Sequence, residues 1–314
     1  MIISASRRTD IPSCYPDWFY NRIKEGFVLT RNPMSFHQVS KIKITPDVVD
    51  GIVFWTKNPA PMLDRLNELS NYKYYFQFTI TPYGNDVEPN LPLKNKVIID
   101  TFKRLSDRVG ADRIVWRYDP IMINVKYTIE YHTRAFEKIA KELHNYTRKV
   151  TFSFIDDHYR VVKNNIKALD LLNFPTETQI NLSHTIAEIA HSFGLLIDTC
   201  AENIDLQKFG IEHARCIDDK LLEKLLDYHL SVNKDKTQRL ECGCIASIDI
   251  GMYNTCLNGC RYCYANYSQK TVTKNFEKHN HLSPLISGEI GSDDKINERN
   301  VKSCRDIRLR FGEF

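Results

Sequence analysis

The sequence predicts an α/β protein built as a TIM-like β/α barrel, complete or partial. Short apolar segments of strand-like composition recur along the chain, and most are separated by segments with apolar residues at three- and four-residue spacing. Strands that alternate with helices pair in parallel through right-handed crossovers. The chain has 314 residues and no Gly/Ser-rich or Pro-rich linker, so one domain covering 1–314 is expected.

The predicted strands are short and rich in β-branched or aromatic residues. They are Ile2–Ala5, Gly51–Trp55, Tyr74–Ile80, Arg113–Trp116, Val150–Ile155, Leu195–Thr199 and Ile245–Ile250. The predicted helices are Ala60–Leu69, Lys94–Val109, Thr128–Leu143, Glu177–Phe193 and Asp218–Leu230. Gly110 and Gly194 follow two of these helices, where glycine C-caps are expected.

Composition narrows the class of protein. No run of residues approaches the 18 apolar positions of a membrane span, and the first residues lack the apolar core of a signal peptide, so a cytoplasmic location without a membrane partner is expected. In that reducing compartment, nine cysteines favour metal or redox chemistry over disulfides. The formal net charge of +4 is too small to establish nucleic acid as a partner, although it permits one.

Polar segments follow the predicted strands. In a parallel barrel these segments would ring one mouth, which is where such barrels carry their active sites. They are 6–10, 56–59, 81–84, 117–120, 156–159 and 200–203. Turns are commonly polar in any protein, but Arg117 and Asp119 directly follow aromatic residues at a strand end, where charged groups need partners. Together with Lys57, these two residues are the candidate catalytic residues.

A cysteine-rich loop covers 254–266 and reads NTCLNGCRYCYAN. Its cysteines, Cys256, Cys260 and Cys263, have the spacing C-x3-C-x2-C. Thiolates this close in sequence can converge on one inorganic centre, and Gly259 supplies the tight turn that wrapping requires. The loop is therefore predicted to bind a metal centre.

Four other cysteines form a second candidate set: Cys200, Cys216, Cys242 and Cys244. Their number matches the ligand count of a second iron–sulfur cluster or of a structural zinc site. Alternatively, Cys200 and Cys216 are buried apolar fillers, a common role of free cysteine. Cys14 and Cys304 have no partner nearby in the sequence and are interpreted as ordinary residues.

The spacing C-x3-C-x2-C with the aromatic Tyr262 before the last cysteine resembles the signature of radical S-adenosylmethionine (SAM) enzymes. That resemblance implies that three cysteines hold a 4Fe–4S cluster whose fourth iron binds SAM, with Tyr262 near the adenine. The segments SASRRTDIP, VFWTKNP, FTITPYG and WRYDP, together with the loop, resemble an uncharacterised family that carries a radical-SAM-like cysteine cluster near its C-terminus. The WRYDP segment is also similar, more distantly, to the spore photoproduct lyase branch.

The position of the motif departs from the superfamily pattern, because it comes after four-fifths of the chain instead of after the first barrel strand. A circular permutation of the barrel would explain this order. A helix over Tyr267–Lys278 and a C-terminal strand and tail over 282–314 are expected to follow the loop. Segment 282–289 would then pair beside Ile245–Ile250, unless it forms an ordinary edge strand with a tight turn.

The end of segment 282–289, Ser287, Gly288 and Glu289, resembles the Gly-Gly-Glu segment that holds the methionine ammonium in the superfamily. Arg7 is a further candidate for cofactor binding. If Glu289 belongs to an ordinary turn, the Ser4–Asp10 segment is the alternative site for the ammonium.

The expected function is that of an iron–sulfur enzyme that cleaves SAM reductively and starts radical chemistry on a substrate. The resemblance implies a reductant such as flavodoxin or ferredoxin. Basic and aromatic residues near the mouth, including Arg7 and Trp55, suit a nucleobase or a phosphate, so a small molecule or a nucleic-acid lesion is the expected substrate. The alternative is a zinc- or Fe–S-binding protein with a structural, nucleic-acid-binding or electron-transfer role and no SAM chemistry.

Overall fold

The computed structural model describes residues 1–156 and 160–307. Its strands, in chain order, are β1 (Ile2–Ala5), β2 (Phe27–Asn32), β3 (Ser35–Lys43), β4 (Gly51–Thr56), β5 (Tyr74–Thr79), β6 (Ile114–Ile121), β7 (Lys149–Phe154), β8 (Leu196–Thr199), β9 (Glu212–His213), β10 (Ile248–Asp249) and β11 (Lys295–Glu298). Its α-helices are α1 (Ile11–Cys14), α2 (Pro16–Glu25), α3 (Ile99–Val109), α4 (Ile129–Leu143), α5 (Arg160–Asn165), α6 (Thr176–Ser192), α7 (Asp219–Leu226) and α8 (Gln269–Glu277).

The main sheet contains eight strands in the order β10-β1-β4-β5-β6-β7-β8-β9, and every neighbouring pair is parallel. The predicted α/β class with a parallel sheet is confirmed. The sheet ends at β10 on one side and at β9 on the other, and these two edge strands do not pair with each other within the described residues. A complete barrel is therefore not seen in that part of the chain.

The two faces of the sheet pack against different parts of the chain, because successive residues of a strand point to opposite sides. On one face, Phe54 of β4 and Phe76 of β5 belong to the large core that includes α2, α3, α4 and α6. On the other face, Val53 and Tyr75 pack with Leu222 of α7 and with several cysteines. The stretch between β8 and β10, which includes α7, thus packs on the second face of the sheet.

A second, smaller sheet was not predicted. Strands β2 and β3 form an antiparallel hairpin, and β11 adds to it in parallel with β3. Much of β3 is exposed, so it lacks the apolar run that marks the strands of the main sheet.

The predicted pairing of segment 282–289 with Ile245–Ile250 is wrong. The neighbour of β10 is β1, with Ile3 opposite Ile248, and segment 282–289 contains no strand. Its Pro284 has no N–H to donate to a ladder, and its carbonyl accepts instead from the Leu29 N–H of β2 at 3.0 Å. The segment is therefore held by the hairpin sheet.

Other element bounds differ in detail from the prediction. The segment Ala60–Leu69 forms a 3₁₀ helix, and one π-helical turn, Lys94–Ile98, precedes α3. The predicted strand Ile245–Ile250 forms ladder pairs only at Ile248–Asp249. No helix in 1–156 or 160–307 combines the length and the apolar character that crossing a bilayer requires.

Gly51→Ala is expected to lower the free energy of unfolding by about 1–3 kcal/mol through overpacking. A Cβ at Gly51 would lie 2.4 Å from Cδ2 of Leu222, and Leu222 is fully buried and cannot turn toward solvent. Urea unfolding followed by circular dichroism measures the change. Gly291→Ala is the control, because its Cβ would approach no atom more closely than 3.8 Å.

If α7 packs on β4 as described, Gly51→Ala combined with Leu222→Ala will cost less than the sum of the two single changes, because the second change removes the clash. Strict additivity would show that the two residues do not meet in solution.

Candidate functional site

The cysteine-rich loop 254–266 lies against the segment that follows β1. The Asn258 side-chain amide donates to the Asp10 carboxylate at 2.9 Å, and the Tyr264 hydroxyl donates to the carbonyl of Arg7. Because β10 and β1 are parallel neighbours, the loops after their carboxyl ends meet at one edge of the sheet. The structure thus places the loop at the end of the sheet where an α/β protein carries its site.

Cys256, Cys260 and Cys263 lie within electrostatic reach of one another. The three residues keep some exposure to solvent, yet their thiol groups themselves are buried. Burial, with a further contribution from Cys256, raises the pKa of Cys263 to about 11. Burial also raises the pKa of Cys260 well above its usual value, and both other thiols add to this effect. The three sulfurs are therefore gathered by one loop.

Cys14 is a neighbour of this triad that the sequence analysis missed. Its thiol lies close to that of Cys256 and, together with burial, raises the pKa of Cys256. Its place at the end of α1, just after the polar segment that follows β1, was the available signal.

No group of three or more His, Cys, Asp and Glu side chains, among residues 1–156 and 160–307, has an arrangement that could already hold a metal ion. The chemistry of the donor set nevertheless fits iron: three thiols come from one short loop, and Gly259 adopts a left-handed φ of +70° within it. Iron ligation by the triad remains a prediction.

The carboxylate of Glu88, fully buried beside the loop, was also missed by the sequence analysis. It accepts hydrogen bonds from Lys57 Nζ at 2.8 Å and from Thr81 Oγ1 at 2.9 Å, and it pairs closely with Lys94 and the Tyr262 hydroxyl. Lys57, predicted as catalytic, and Tyr262, predicted near the adenine, therefore share one anion. No motif marks Glu88, since it lies in an ordinary-looking polar segment.

The charge of Glu88 is stabilised by its cations. Burial alone would raise the pKa of this carboxyl, but Lys57 and Lys94 outweigh burial and lower the pKa to about 2. Since the pKa is depressed in the folded state, the ionised form stabilises the fold above its ordinary value of 4.5. That contribution is lost as the pH falls toward 2.

Arg117 and Asp119, the other candidate catalytic residues, form a close ion pair at the end of β6. The guanidinium of Arg117 also donates from Nη1 to the Cys216 sulfur at 3.0 Å. It lies 5.2 Å from the centre of the Trp55 ring, and Arg7 lies 5.4 Å from the same ring. Both guanidinium groups thus lie near the Trp55 ring, at the carboxyl end of the parallel strands.

Three buried polar atoms at this end of the sheet have no hydrogen-bond partner within the described residues: Arg7 Nη2, Thr9 Oγ1 and Trp55 Nε1. Buried donors are normally paired in folded proteins, and a bound polar molecule is one source of the missing partner. These atoms are therefore suited to contact a ligand.

The second cysteine set also lies together. The sulfurs of Cys200 and Cys216 are 3.4 Å apart, and the Cys244 thiol lies close enough to those of Cys216 and Cys242 to interact with both. Of the polar segment 156–159, residues 157–159 lie outside the described residues.

Ser287, Gly288 and Glu289 line a different region. They border a cavity of about 300 Å³ shared with the hairpin sheet and with Met252. The Ser287 hydroxyl donates to the Asn275 carbonyl at 2.6 Å, and the Glu289 carbonyl accepts from Arg31. These three residues follow no strand of the main sheet.

The fold and the site define an α/β protein whose parallel sheet carries two groups of cysteines at one end. Residues 2–265 match the family described as "Domain of unknown function (DUF1848)", and the chain belongs to that family. A comparison with curated proteins gave no match. Among solved structures, a candidate alpha-L-fucosidase from Bacteroides thetaiotaomicron is similar, with 13% identity over 73% of this chain and 84% of that chain. Its TM-score of 0.26 is too low to support an argument.

Glu88→Gln is expected to lower the free energy of unfolding by about 3–5 kcal/mol, because it leaves two buried lysines without their anion. The difference from wild type should be full above pH about 5 and shrink as the pH falls toward 2, since protonation of Glu88 then removes the same charge.

Urea unfolding at a series of pH values measures this difference. Asp86→Asn is the matched control, because its ion pair with Lys126 is largely exposed and should contribute under about 1 kcal/mol. An equal, pH-independent loss in both variants would contradict the assigned role of Glu88.

Proposed function

We propose that this protein is an iron–sulfur enzyme of the radical SAM type. The observation that carries the proposal is the position of the C-x3-C-x2-C loop, which follows β10 at the edge of the parallel sheet, beside β1. In the superfamily the motif follows the first barrel strand. Because β10 is the last strand of the main sheet in sequence but the first in its spatial order, a circularly permuted barrel, partial in extent, accounts for the displaced motif.

A 4Fe–4S cluster held by Cys256, Cys260 and Cys263, once reduced by an external electron donor such as flavodoxin or ferredoxin, would supply the one electron that cleaves SAM into methionine and a 5′-deoxyadenosyl radical. The chain's own residues prepare the place for this chemistry. The Lys57 ammonium lies near the Cys260 thiol and favours its ionised form. Tyr262 is buried, and its hydroxyl donates to the Glu88 carboxylate. This contact holds the Tyr262 ring beside the cysteines of the loop.

The methionine ammonium is placed at the Ser4–Asp10 segment in this proposal, instead of at Glu289. Since β1 is the neighbour of β10, its following loop occupies the position that the sequence analysis gave to 287–289. Asp249 fixes this loop by accepting from Ser6 Oγ at 2.6 Å and from the Arg7 N–H at 2.8 Å. It also provides the carboxylate charge that an ammonium requires.

The substrate class follows from the unpaired donors at the mouth. Arg7 and Trp55 offer a cation, an indole N–H and an aromatic face, which together suit a nucleobase or a phosphate group. Burial would lower the pKa of Lys57, but Glu88 and, more weakly, Asp119 raise it, which puts Asp119 within electrostatic reach of the Lys57 ammonium. Proton transfer at the substrate is assigned to this pair.

The alternative is a zinc- or iron–sulfur-binding protein without SAM chemistry, for which the gathered cysteines alone would suffice. A visible spectrum of anaerobically purified protein separates an iron–sulfur protein from a colourless zinc protein.

Replacing Cys256, Cys260 and Cys263 together by alanine is expected to remove one 4Fe–4S cluster, because the variant lacks all three of the proposed ligands. Iron and acid-labile sulfide are measured in anaerobically reconstituted protein, with Cys304→Ala as the control. Cluster content equal to that of wild type in the triple variant would refute the assignment.

SAM affinity distinguishes the two placements of the ammonium. Asp249→Asn should weaken binding by about one to two powers of ten, because a charge-assisted hydrogen bond contributes roughly 1.5–3 kcal/mol. Glu289→Gln should leave the affinity unchanged. Calorimetric titration of reconstituted protein measures both variants, and the reverse ranking would return the ammonium to Glu289.

A further inference from the structure

The four cysteines outside the loop come from two separate stretches of chain that are joined side by side. Cys200 directly follows β8, Cys216 follows β9, and Cys242 and Cys244 lie on the segment that leads to β10. The Gly243 N–H donates to the Ala214 carbonyl at 3.2 Å. Hydrogen bonds between main-chain groups therefore hold the two stretches together, independently of the thiols.

Gly243 shows how closely these stretches approach. A Cβ at this position would lie 3.0 Å from the Ala214 carbonyl oxygen and 2.8 Å from Cγ of Arg215. Any other residue would push Cys242 and Cys244 away from Cys216. Glycine is therefore required between Cys242 and Cys244, where the two stretches of chain are in contact.

Contacts link all four thiols. The sulfurs of Cys200 and Cys216 are 3.4 Å apart, and Cys244 interacts with Cys216 on one side and Cys242 on the other. Three of the four residues are fully buried: Cys216, Cys242 and Cys244.

Two N–H donors are directed at these sulfurs. The Ile217 N–H donates to Cys244 Sγ at 3.4 Å, and Arg117 Nη1 donates to Cys216 Sγ at 3.0 Å. A buried guanidinium and a backbone N–H both favour the thiolate form, which is the form that binds metals. Cysteines that merely fill apolar space have no need of such donors.

We propose that Cys200, Cys216, Cys242 and Cys244 bind one Zn²⁺ ion in a mononuclear four-thiolate site. Tetrahedral zinc with Zn–S bonds of about 2.3 Å places its sulfurs roughly 3.8 Å apart. The thiolates of an iron–sulfur cubane bind different irons and lie further from one another. The 3.4 Å between the sulfurs of Cys200 and Cys216 is close to the spacing around a single ion. The four thiols do not yet form a complete metal arrangement within the described residues, so binding would draw the sulfurs of Cys242 and Cys244 toward this pair.

The charge of the surroundings fits this site. Four thiolates around one Zn²⁺ carry an excess of two negative charges, and such a buried excess needs nearby cations. Arg117 contacts Cys216 directly, and Arg7 lies within electrostatic reach of Cys216 and Cys244. The two arginines that flank Trp55 therefore also face the proposed ion.

The test uses the Cys256/Cys260/Cys263→Ala variant, which lacks the loop thiols, so that any remaining metal reports on the second set. Protein is purified from zinc- and iron-supplemented cells, and metal is counted by plasma mass spectrometry together with acid-labile sulfide. We expect one zinc per chain and no sulfide. Further changing Cys200 or Cys242 to serine should abolish zinc binding, whereas Cys304→Ser, at a cysteine packed against the same apolar cluster, should keep it.

A measurement on the folded parent variant does not depend on whether the serine variants fold. A thiol-modifying reagent should release one zinc, detected by a chromogenic chelator, as four thiols react. Iron together with sulfide in this variant would show that the four cysteines bind a second iron–sulfur cluster instead of zinc. Metal-free protein would show that they only fill space in the core. Either result overturns the proposal, and neither affects the cluster assigned to the loop.

Discussion

The pairing of β10 with β1 is the constraint on which the site depends. Only two ladder positions join these strands, Ile3 with Ile248 and Ser4 with Asp249, so the backbone contact is small. Asp249 extends it by binding Ser4, Ser6 and the Arg7 N–H with its carboxylate. Gly251 makes the approach possible, because a Cβ there would lie 2.0 Å from Ser6 Oγ. The position of the cysteine loop follows from this contact.

The same end of the sheet concentrates charge in a region with little access to water. Glu88 with Lys57 and Lys94, and Arg117 with Asp119, are buried or nearly buried ion pairs. Such pairs are costly unless their geometry and hydrogen bonding are good, and they seldom stabilise a fold more than apolar residues would. Their concentration beside two groups of thiols is therefore better explained by the chemistry of a site than by stability.

The alternation of short apolar segments with helical patterns was enough to predict the parallel strands, because buried parallel strands require continuous apolar runs. The order of the strands within the sheet was harder to predict from the sequence. The Ser287-Gly288-Glu289 end of segment 282–289 resembles a superfamily motif, and this suggested a place beside β10. In the structure Pro284 contacts the hairpin β2–β3 instead. The hairpin was itself hard to predict, because much of β3 is exposed and lacks an apolar strand pattern. Motif spacing identified the triad, whereas Cys14 and Glu88 are brought to it only by tertiary contacts.

The edges of the open sheet have a consequence for self-association. An unpaired strand edge exposes N–H and C=O groups in a row and invites a second chain to extend the sheet. Here the terminal strands, β9 and β10, are each two residues long, and both residues of β9 are exposed and polar. So short an edge offers a neighbouring chain too few hydrogen bonds to add on. Main-chain hydrogen bonds from Gly243 to Ala214 and from Ile245 to Ile217 also join the stretch after β9 to the stretch before β10. Short edge strands and this junction together leave a neighbouring chain little free edge to pair with in the part of the chain that the structure describes.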